Sequence, residues 1–378
     1  MSYRLCIYSP GIARRIANAI AALSIWPDAL AGQGRVYTIP DQPACPRCSI
    51  EVQHTVSLDT KNDSVLLDGA PVVVRADGRG RYWVIAPGLP PMVFDPAGRF
   101  LRSIGAIGSG PQEFLMPGDI IPLAGDSVLV LDGGTQRASV VGPSFSFSRT
   151  IHLTETLPPA TSLAWPHRVV MAGMITSADG IGWPLHFVDF SGLTAQVVRS
   201  FGSATGELRP GEEFQLRQQT ALSRRQGFWA APESQYRLTL WSQEGEAVQS
   251  FVRTPPWFSG KSSFGLGTPR SPPPPAIVGF TEDRGGLLWV FVRVPAPTWR
   301  DAWPEISGPE IPTKLIRYDR LFKTMVEVID PVRRQVVATR LLENWTVTVL
   351  SGPRAVAYST DLEGYPSISV LTLGLRGR

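Results

Sequence analysis

Val93-Phe94-Asp95-Pro96-Ala97-Gly98-Arg99-Phe100-Leu101-Arg102-Ser103-Ile104-Gly105 decides how this chain is read, because the phrase returns. It comes back as Val188-Asp189-Phe190-Ser191-Gly192, followed by Val198-Arg199-Ser200-Phe201-Gly202. Each copy is trailed by a Gly- or Pro-containing loop that ends in Glu-Phe, at Glu113-Phe114 and at Glu213-Phe214. Its last triplet recurs as Arg102-Ser103-Ile104, Arg149-Thr150-Ile151, Arg199-Ser200-Phe201 and Gln249-Ser250-Phe251, at spacings of 47, 50 and 50 residues. A degenerate copy, Ala338-Thr339-Arg340-Leu341, follows 89 residues on, one period plus an insertion. Self-similarity at a fixed period marks a repeat architecture, in which each unit buries its apolar face on its neighbours.

One unit reads as four strands. Val72-Val73-Val74-Arg75 is the first, Arg81-Tyr82-Trp83-Val84-Ile85 the second, Pro91-Met92-Val93-Phe94 the third and Arg99–Ile104 the fourth. The runs are β-branched and aromatic, and the turns between them, Asp77-Gly78-Arg79-Gly80 and Asp95-Pro96-Ala97-Gly98, carry residues with turn preferences. Thirty-six Gly and 35 Pro in 378 residues suit an all-β chain with many turns. A period of roughly 45–50 residues built of short strands belongs to propeller blades. The reading is an all-β fold: a six-bladed β-propeller of four-stranded antiparallel blades over residues 52–378, the blades starting near Val72, Asp119, Thr161, Thr220, Ile277 and Thr346. The last blade lacks a strand, and Val52-Gln53-His54-Thr55-Val56-Ser57-Leu58 is left over at the other end. That N-terminal strand is expected beside Ser367–Leu371, closing the ring and leaving only short edges.

Three phrases carry a resemblance. Val130-Leu131-Asp132 followed by Gln136-Arg137-Ala138-Ser139-Val140-Val141, the turn Phe94-Asp95-Pro96-Ala97-Gly98, and the loop Gly108-Ser109-Gly110-Pro111-Gln112-Glu113-Phe114 resemble the repeats of NHL-like six-bladed propellers. The resemblance spans the first three blades and fades after Gly245. It implies the fold and little of the function, since such propellers include protein-binding, RNA-binding and enzymatic members.

The first 31 residues differ from the rest. Arg14-Arg15 precede an apolar run from Ile16 to Trp26, and Ala29-Leu30-Ala31 offers a small-x-small cleavage site. That is the grammar of a secretory signal, and export to a periplasmic or extracellular compartment is expected; a short amphipathic helix packed on the propeller is the alternative. The net charge of +4 falls to +2 without this segment. No dense Lys/Arg cluster with interleaved aromatics remains, so nucleic acid is not an expected partner. No apolar run reaches 18 residues, so no ordinary membrane span is expected. Residues 32–51 read as a linker holding the pair Cys45-Pro46-Arg47-Cys48. Ser49 stands where haem attachment would need His, and zinc would need two more ligands. A local disulfide is the plain reading in an exported protein, with free thiols or a redox or metal role as alternatives.

Topology says where a ligand could sit. In a four-strand meander the B–C loops and the blade-to-blade connections leave one face, and the A–B and C–D turns leave the other. The long loops 105–118, 176–185, 202–216, 255–276 and 295–323 all belong to the first face. Long connections in a compact fold are commonly binding loops. Trp257, Trp299, Arg300 and Trp303 stand in two proline-stiffened loops on that face, either as a ligand surface or as packing for the rim. Trp183 and His186 are further candidates near the axial opening. His54 and His152 read as structural, and His167 follows Pro166 in a turn.

No Gly-x-Ser-x-Gly elbow appears, no catalytic residue is assigned, and no metal site is assigned. Two functions remain. One is an exported binding module that recognises a protein, peptide or glycan on the long-loop face and needs no cofactor. The other is a metal-dependent hydrolase or lyase with Ca2+ on the axis. For the second, the inner strands offer few oxygen ligands: Asp119, Glu282, Asp283 and Asn344.

Overall fold

The computed structural model describes residues 34–58, 73–153, 162–165, 168–173, 176–177, 180–181, 184–202, 217–225, 227–259, 266–304, 315–360 and 366–377. The proposed leader at 1–31, Trp183, His167 and Glu213-Phe214 lie outside these residues.

The repeat phrase folds as an antiparallel meander. Val73–Ala76, Tyr82–Ile85, Met92–Phe94 and Phe100–Ser103 pair in sequence order. The same order recurs from Pro117–Pro122 to Phe147–Leu153, from Ser162–Trp165 to Thr194–Phe201, from Gln218–Leu222 to Ala247–Val252 and from Ala276–Glu282 to Gln335–Leu342. The last meander takes Trp345–Leu350, Arg354–Thr360 and Pro366–Arg376 from the C-terminal end. Its outermost strand is Ser49–Ser57, antiparallel to Pro366–Arg376, with Thr55 opposite Leu371 and Ser57 opposite Ser369. The leftover strand therefore pairs where the sequence reading put it.

Local chemistry explains the turns. The Asp95 carboxylate accepts the N–H groups of Ala97 and Arg99, each at 2.9 Å, and so holds the Asp-Pro-Ala-Gly turn. Gly98 sits at φ +86°, and a Cβ there would meet the carbonyl oxygen of Ser57 at 2.1 Å. The glycine of the repeat is thus needed both for its backbone and for the close approach of the N-terminal strand.

A second device recurs in the turn between the first and second strands. Asp77 accepts the indole N–H of Trp83 at 2.9 Å, and Asp283 accepts that of Trp289 at 2.8 Å, each tryptophan six residues after its aspartate. Ser223 stands six residues before Trp229, where no carboxylate is available. There Glu282 of the following meander takes the Trp229 indole at 2.8 Å and the Ser223 hydroxyl at 3.0 Å. Burying a tryptophan gains large apolar area provided its N–H finds a partner.

The core lies between meanders. Trp83, Val93 and Ile104 pack on Ile120, Val128 and Val130 of the next unit. Trp229 and Phe251 pack on Ile277 and Val290, and Trp289 and Phe291 pack on Ala355 and Leu371. One more cluster joins the last unit to the first, with Val356, Ile368 and Val370 against Val74, Val84 and Phe94. The first strands follow the same circuit, each beside the first strand of the next unit and Trp345–Leu350 beside Val73–Ala76.

Two features depart from separate four-stranded sheets. The fourth strands Phe147–Leu153 and Thr194–Phe201 share a short parallel bridge, His152 to Thr194 and Leu153 to Ala195, which merges two meanders into one eight-stranded sheet. Arg35–Thr38, inside the stretch read as a linker, forms a fifth strand parallel to Ala247–Val252. Both give partners to backbone groups that an edge would leave open.

From there the segment runs over the next sheet. The Ala44 N–H reaches the Val336 carbonyl at 2.8 Å, and Arg340 donates to the Ile50 carbonyl at 2.6 Å. Cys45 and Cys48 are joined in a disulfide and pack against the cluster that holds Val337 and Leu373. The Cys-Pro-Arg-Cys pair therefore staples a strap. Under it lies a buried ion pair: the Glu327 carboxylate accepts from Arg253 and from the Tyr236 hydroxyl, and Arg253 also reaches Asp41 of the strap at 3.4 Å. Removing one partner of such a pair strands the other charge. Glu327→Ala is expected to cost about 3–5 kcal/mol in a urea unfolding titration; a cost below about 1 kcal/mol would mean that Arg253 is rehydrated without loss.

Candidate functional site

A cavity of about 840 Å³ lies where the first strands of the meanders end. It takes residues from Val73–Ala76, Pro117–Pro122, Gln218–Leu222, Ala276–Glu282 and Trp345–Leu350 and from the turns after them. It therefore opens on the short-turn end of the axis. Its size falls in the range of ligand pockets.

Its floor and its mouth differ electrically. On the floor, Arg75 is paired with Asp119 at 3.0 Å and donates to the Thr348 hydroxyl at 3.0 Å. Glu282 and Asp283 are spent on structure. Glu282 accepts the Trp229 indole, the Ser223 hydroxyl and the Arg224 N–H, and Asp283 accepts the Trp289 indole and the N–H groups of Gly285 and Leu287. At the mouth, Arg354 is held by the carbonyl and hydroxyl oxygens of Ser351 at 3.0 and 3.2 Å. The guanidinium groups of Arg224 and Arg284 are exposed. Leu222, half exposed at 52 %, supplies apolar surface beside them. Asp119, Glu282 and Asp283, the carboxylates that an axial Ca2+ would draw on, are each engaged elsewhere. No group of three or more His, Cys, Asp or Glu among the described residues could hold a metal ion.

Toward the other end of the axis, Glu233 accepts from the Gln219 amide at 2.9 Å. Burial pushes its carboxyl up, against the pull of Arg217 and Arg293. Burial also pulls the Arg293 guanidinium down, and it lies 4.8 Å over the Phe322 ring. This is a packed polar pair under the long loops.

The sequence candidates fall into place around that end. Trp299, 7 % exposed, packs with Tyr318, Phe322, Trp345 and Tyr358, and Trp303 lies against the same cluster. Leu266 of the preceding loop joins it, so the loops 255–276 and 295–323 meet as expected. Trp257 packs edge-on to Tyr236 and Phe258. Arg300 is exposed and covers the Trp299 ring at 4.4 Å. His186 is 1 % exposed, with the Ser200 hydroxyl at its Nδ1 and the Gly173 carbonyl at its Nε2, both at 2.8 Å. A carbonyl only accepts, so Nε2 carries a proton and the ring ties Gly173 to Ser200. The tryptophans thus pack the rim, and the geometry does not gather them with His186 into one concave site.

What sequence reading missed is the arginine set at the other end. A signal was present: Arg224 and Arg284 fall in first-to-second-strand turns of consecutive units, and Arg354 opens the second strand of the unit after them.

The first copy of the Glu-Phe phrase, Glu113-Phe114, has a structural role. Glu113 accepts the Gly110 N–H at 2.7 Å, and Phe114 is buried between two meanders. Asp132 anchors the same loop by accepting the N–H groups of Leu115 and Met116 at 2.8 and 2.9 Å and the Thr135 hydroxyl at 2.9 Å.

No protein-family model matches this chain, and no curated protein matches it. Solved structures do. A member of the DUF4221 family from Bacteroides vulgatus superposes with a TM-score of 0.57 over 88 % of this chain and 99 % of that one, at 8 % identity. A protein from Bacteroides fragilis described as exported gives 0.54 over 90 % and 99 %, at 11 % identity. Likeness at such identity speaks for the fold alone. These neighbours are propeller-type folds, and this chain is a β-propeller. The comparisons do not single out the NHL-like type that the repeat phrases resemble.

Two expectations follow. Trp299→Ala should lower stability by about 3–5 kcal/mol in chemical denaturation, the cost of emptying a packed aromatic site; a loss under about 1 kcal/mol would return Trp299 to the list of free surface groups. Asp132 gives a pH signature. Burial pushes its carboxyl up, but the N–H groups of Leu115 and Met116 and the Thr135 hydroxyl outweigh this and hold it below the usual range. A depressed folded value stabilises above the unfolded value of about 3.9, and that contribution fades as pH falls below it. The gap in urea midpoint between the parent and Asp132→Asn should be widest near neutrality and narrow below about pH 4. A gap that does not change with pH would refute the assignment.

Proposed function

We propose that this protein is an exported, closed six-bladed propeller that serves as a binding module and takes its ligand, a protein, peptide or glycan, in the axial cavity at the short-turn end. The observation that carries this is the cavity itself, built by strand ends of meanders that follow one another round the circuit, with the exposed Arg224 and Arg284 in its lining. Six meanders in one circuit, with Ser49–Ser57 as the outermost strand of the last, support the blade count and the closure. The engaged carboxylates favour binding over metal-assisted hydrolysis or lysis. Export is supported by the leader-like composition of residues 1–31, by the Cys45–Cys48 disulfide and by the exported description of one structural neighbour. Among the described residues no helix is long and apolar enough to cross a membrane.

A plug tests the site. Leu222→Trp puts an indole into the mouth without touching the packed core. Peptide and oligosaccharide panels are screened by ligand-induced rise in Tm on both proteins. A ligand of the parent should lose about tenfold or more in affinity with the plug. A ligand that ignores the plug and is lost instead in Arg300→Ala would move the site to the long-loop face and overturn the reading.

A further inference from the structure

We infer that the axial cavity grips an oxyanion, the carboxylate or phosphate group of its ligand, through Arg224, Arg284 and Arg354. The inference rests on the axial site proposed above and names the chemistry that the site selects.

Charge accounting within the cavity leads to it. Four arginines line the space, Arg75, Arg224, Arg284 and Arg354, against two carboxylates, Glu282 and Asp283. Arg75 is already neutralised by Asp119 at 3.0 Å. Both lining carboxylates are turned to indole and backbone N–H groups, and neither forms an ion pair with the mouth arginines among the described residues. Arg224 and Arg284 donate no side-chain hydrogen bond among the described residues, and Arg354 spends Nε and one terminal nitrogen on Ser351. The mouth therefore presents two guanidinium groups with open N–H forks, Arg224 and Arg284, and a third, Arg354, with one terminal nitrogen left over, around a concave space.

Position adds to charge. The three arginines come from three consecutive units, Arg224 and Arg284 at turns that follow Gln218–Leu222 and Ala276–Glu282, and Arg354 at the start of the strand that follows Trp345–Leu350. The circuit of first strands brings these segments to one rim, so the three arginines line one cavity rather than lie along one strand. The backbone of Arg224 is fixed by Glu282 of the next unit, and Arg354 is fixed by its own turn, which lowers the ordering cost of a bound anion. Guanidinium groups match carboxylate and phosphate with paired, charge-assisted hydrogen bonds, and low-dielectric walls focus their field. Neutral sugar or peptide surface would leave this charge unanswered.

The test uses the full chain and two probes, citrate and tripolyphosphate, titrated by calorimetry at low ionic strength. Four proteins are compared: the parent, the pair Arg224→Gln/Arg284→Gln, the plug Leu222→Trp, and Arg300→Gln as a surface arginine at the other end. Unchanged Tm verifies that each is folded. The inference expects binding of at least one probe to the parent and to Arg300→Gln, weakened about tenfold or more in the paired variant. Preference for citrate marks a carboxylate ligand, and preference for tripolyphosphate a phosphate. No binding, or equal binding by all four proteins, overturns it. If a neutral ligand from the panels is lost with the plug while both anions are ignored, the oxyanion inference falls and the axial site stands. If the plug affects nothing that binds, the axial site falls as well.

Discussion

The structure depends on the antiparallel pairing of Ser49–Ser57 with Pro366–Arg376. A chain of stacked sheets has two exposed ends, and each end offers an apolar face. The last meander meets the first through Val356, Ile368 and Val370 on one side and Val74, Val84 and Phe94 on the other. The N-terminal strand then covers the outer edge of that meander with residues from the opposite end of the chain. The joint is made of backbone hydrogen bonds and apolar burial together, and it is cooperative because neither end forms it alone. The strap extends the same logic. Arg35–Thr38 covers one outer edge, Ala44 and the Cys45–Cys48 disulfide lie over the next, and Ser49–Ser57 completes the third.

In three units the organising contact is a tryptophan, Trp83, Trp229 or Trp289, held by a carboxylate. The first-to-second-strand turn must reverse the chain within a few residues while a large indole is buried against the neighbouring unit. Asp77 and Asp283 solve both problems at once, accepting turn N–H groups with one oxygen and the indole with the other. Where Ser223 replaces the aspartate, Glu282 reaches across from the next unit. That substitution changes what the cavity can offer. A carboxylate that would otherwise face the axis is consumed in joining two units, and the arginines beside it keep their charge. The electrostatic character of the funnel is thus a by-product of how the indoles are satisfied.

The two ends of the axis divide the work. Under the long loops, Trp299, Trp303, Tyr318, Trp345 and Tyr358 form an aromatic cap with Arg300 lying over it. Proline-rich loops lose little entropy on packing, so a large insertion can serve as structure rather than as a recognition surface. At the other end the turns are short, and the cavity there is lined by arginines together with apolar side chains such as Leu222 and Val349.

Sequence alone determined the architecture of the repeat. The return of Arg-Ser-Ile at a near-constant spacing, the strand-turn alternation and the orphan strand at 52–58 are local signals, and strand pairing in a meander is set by local order. The positions of Trp257, Trp299 and Trp303 in the loops were legible too, as was the meeting of those loops. Whether their side chains face water or a core was not, because an aromatic residue beside proline reads the same in either setting. Only the tertiary structure showed that Arg35–Thr38 is a strand, since it pairs with residues more than two hundred positions away. Only the structure, likewise, separated spent carboxylates from open arginines. Glu282 and Arg224 are near one another only because neighbouring units pack, and a net charge in a cavity is a difference between groups that the sequence scatters over the whole chain.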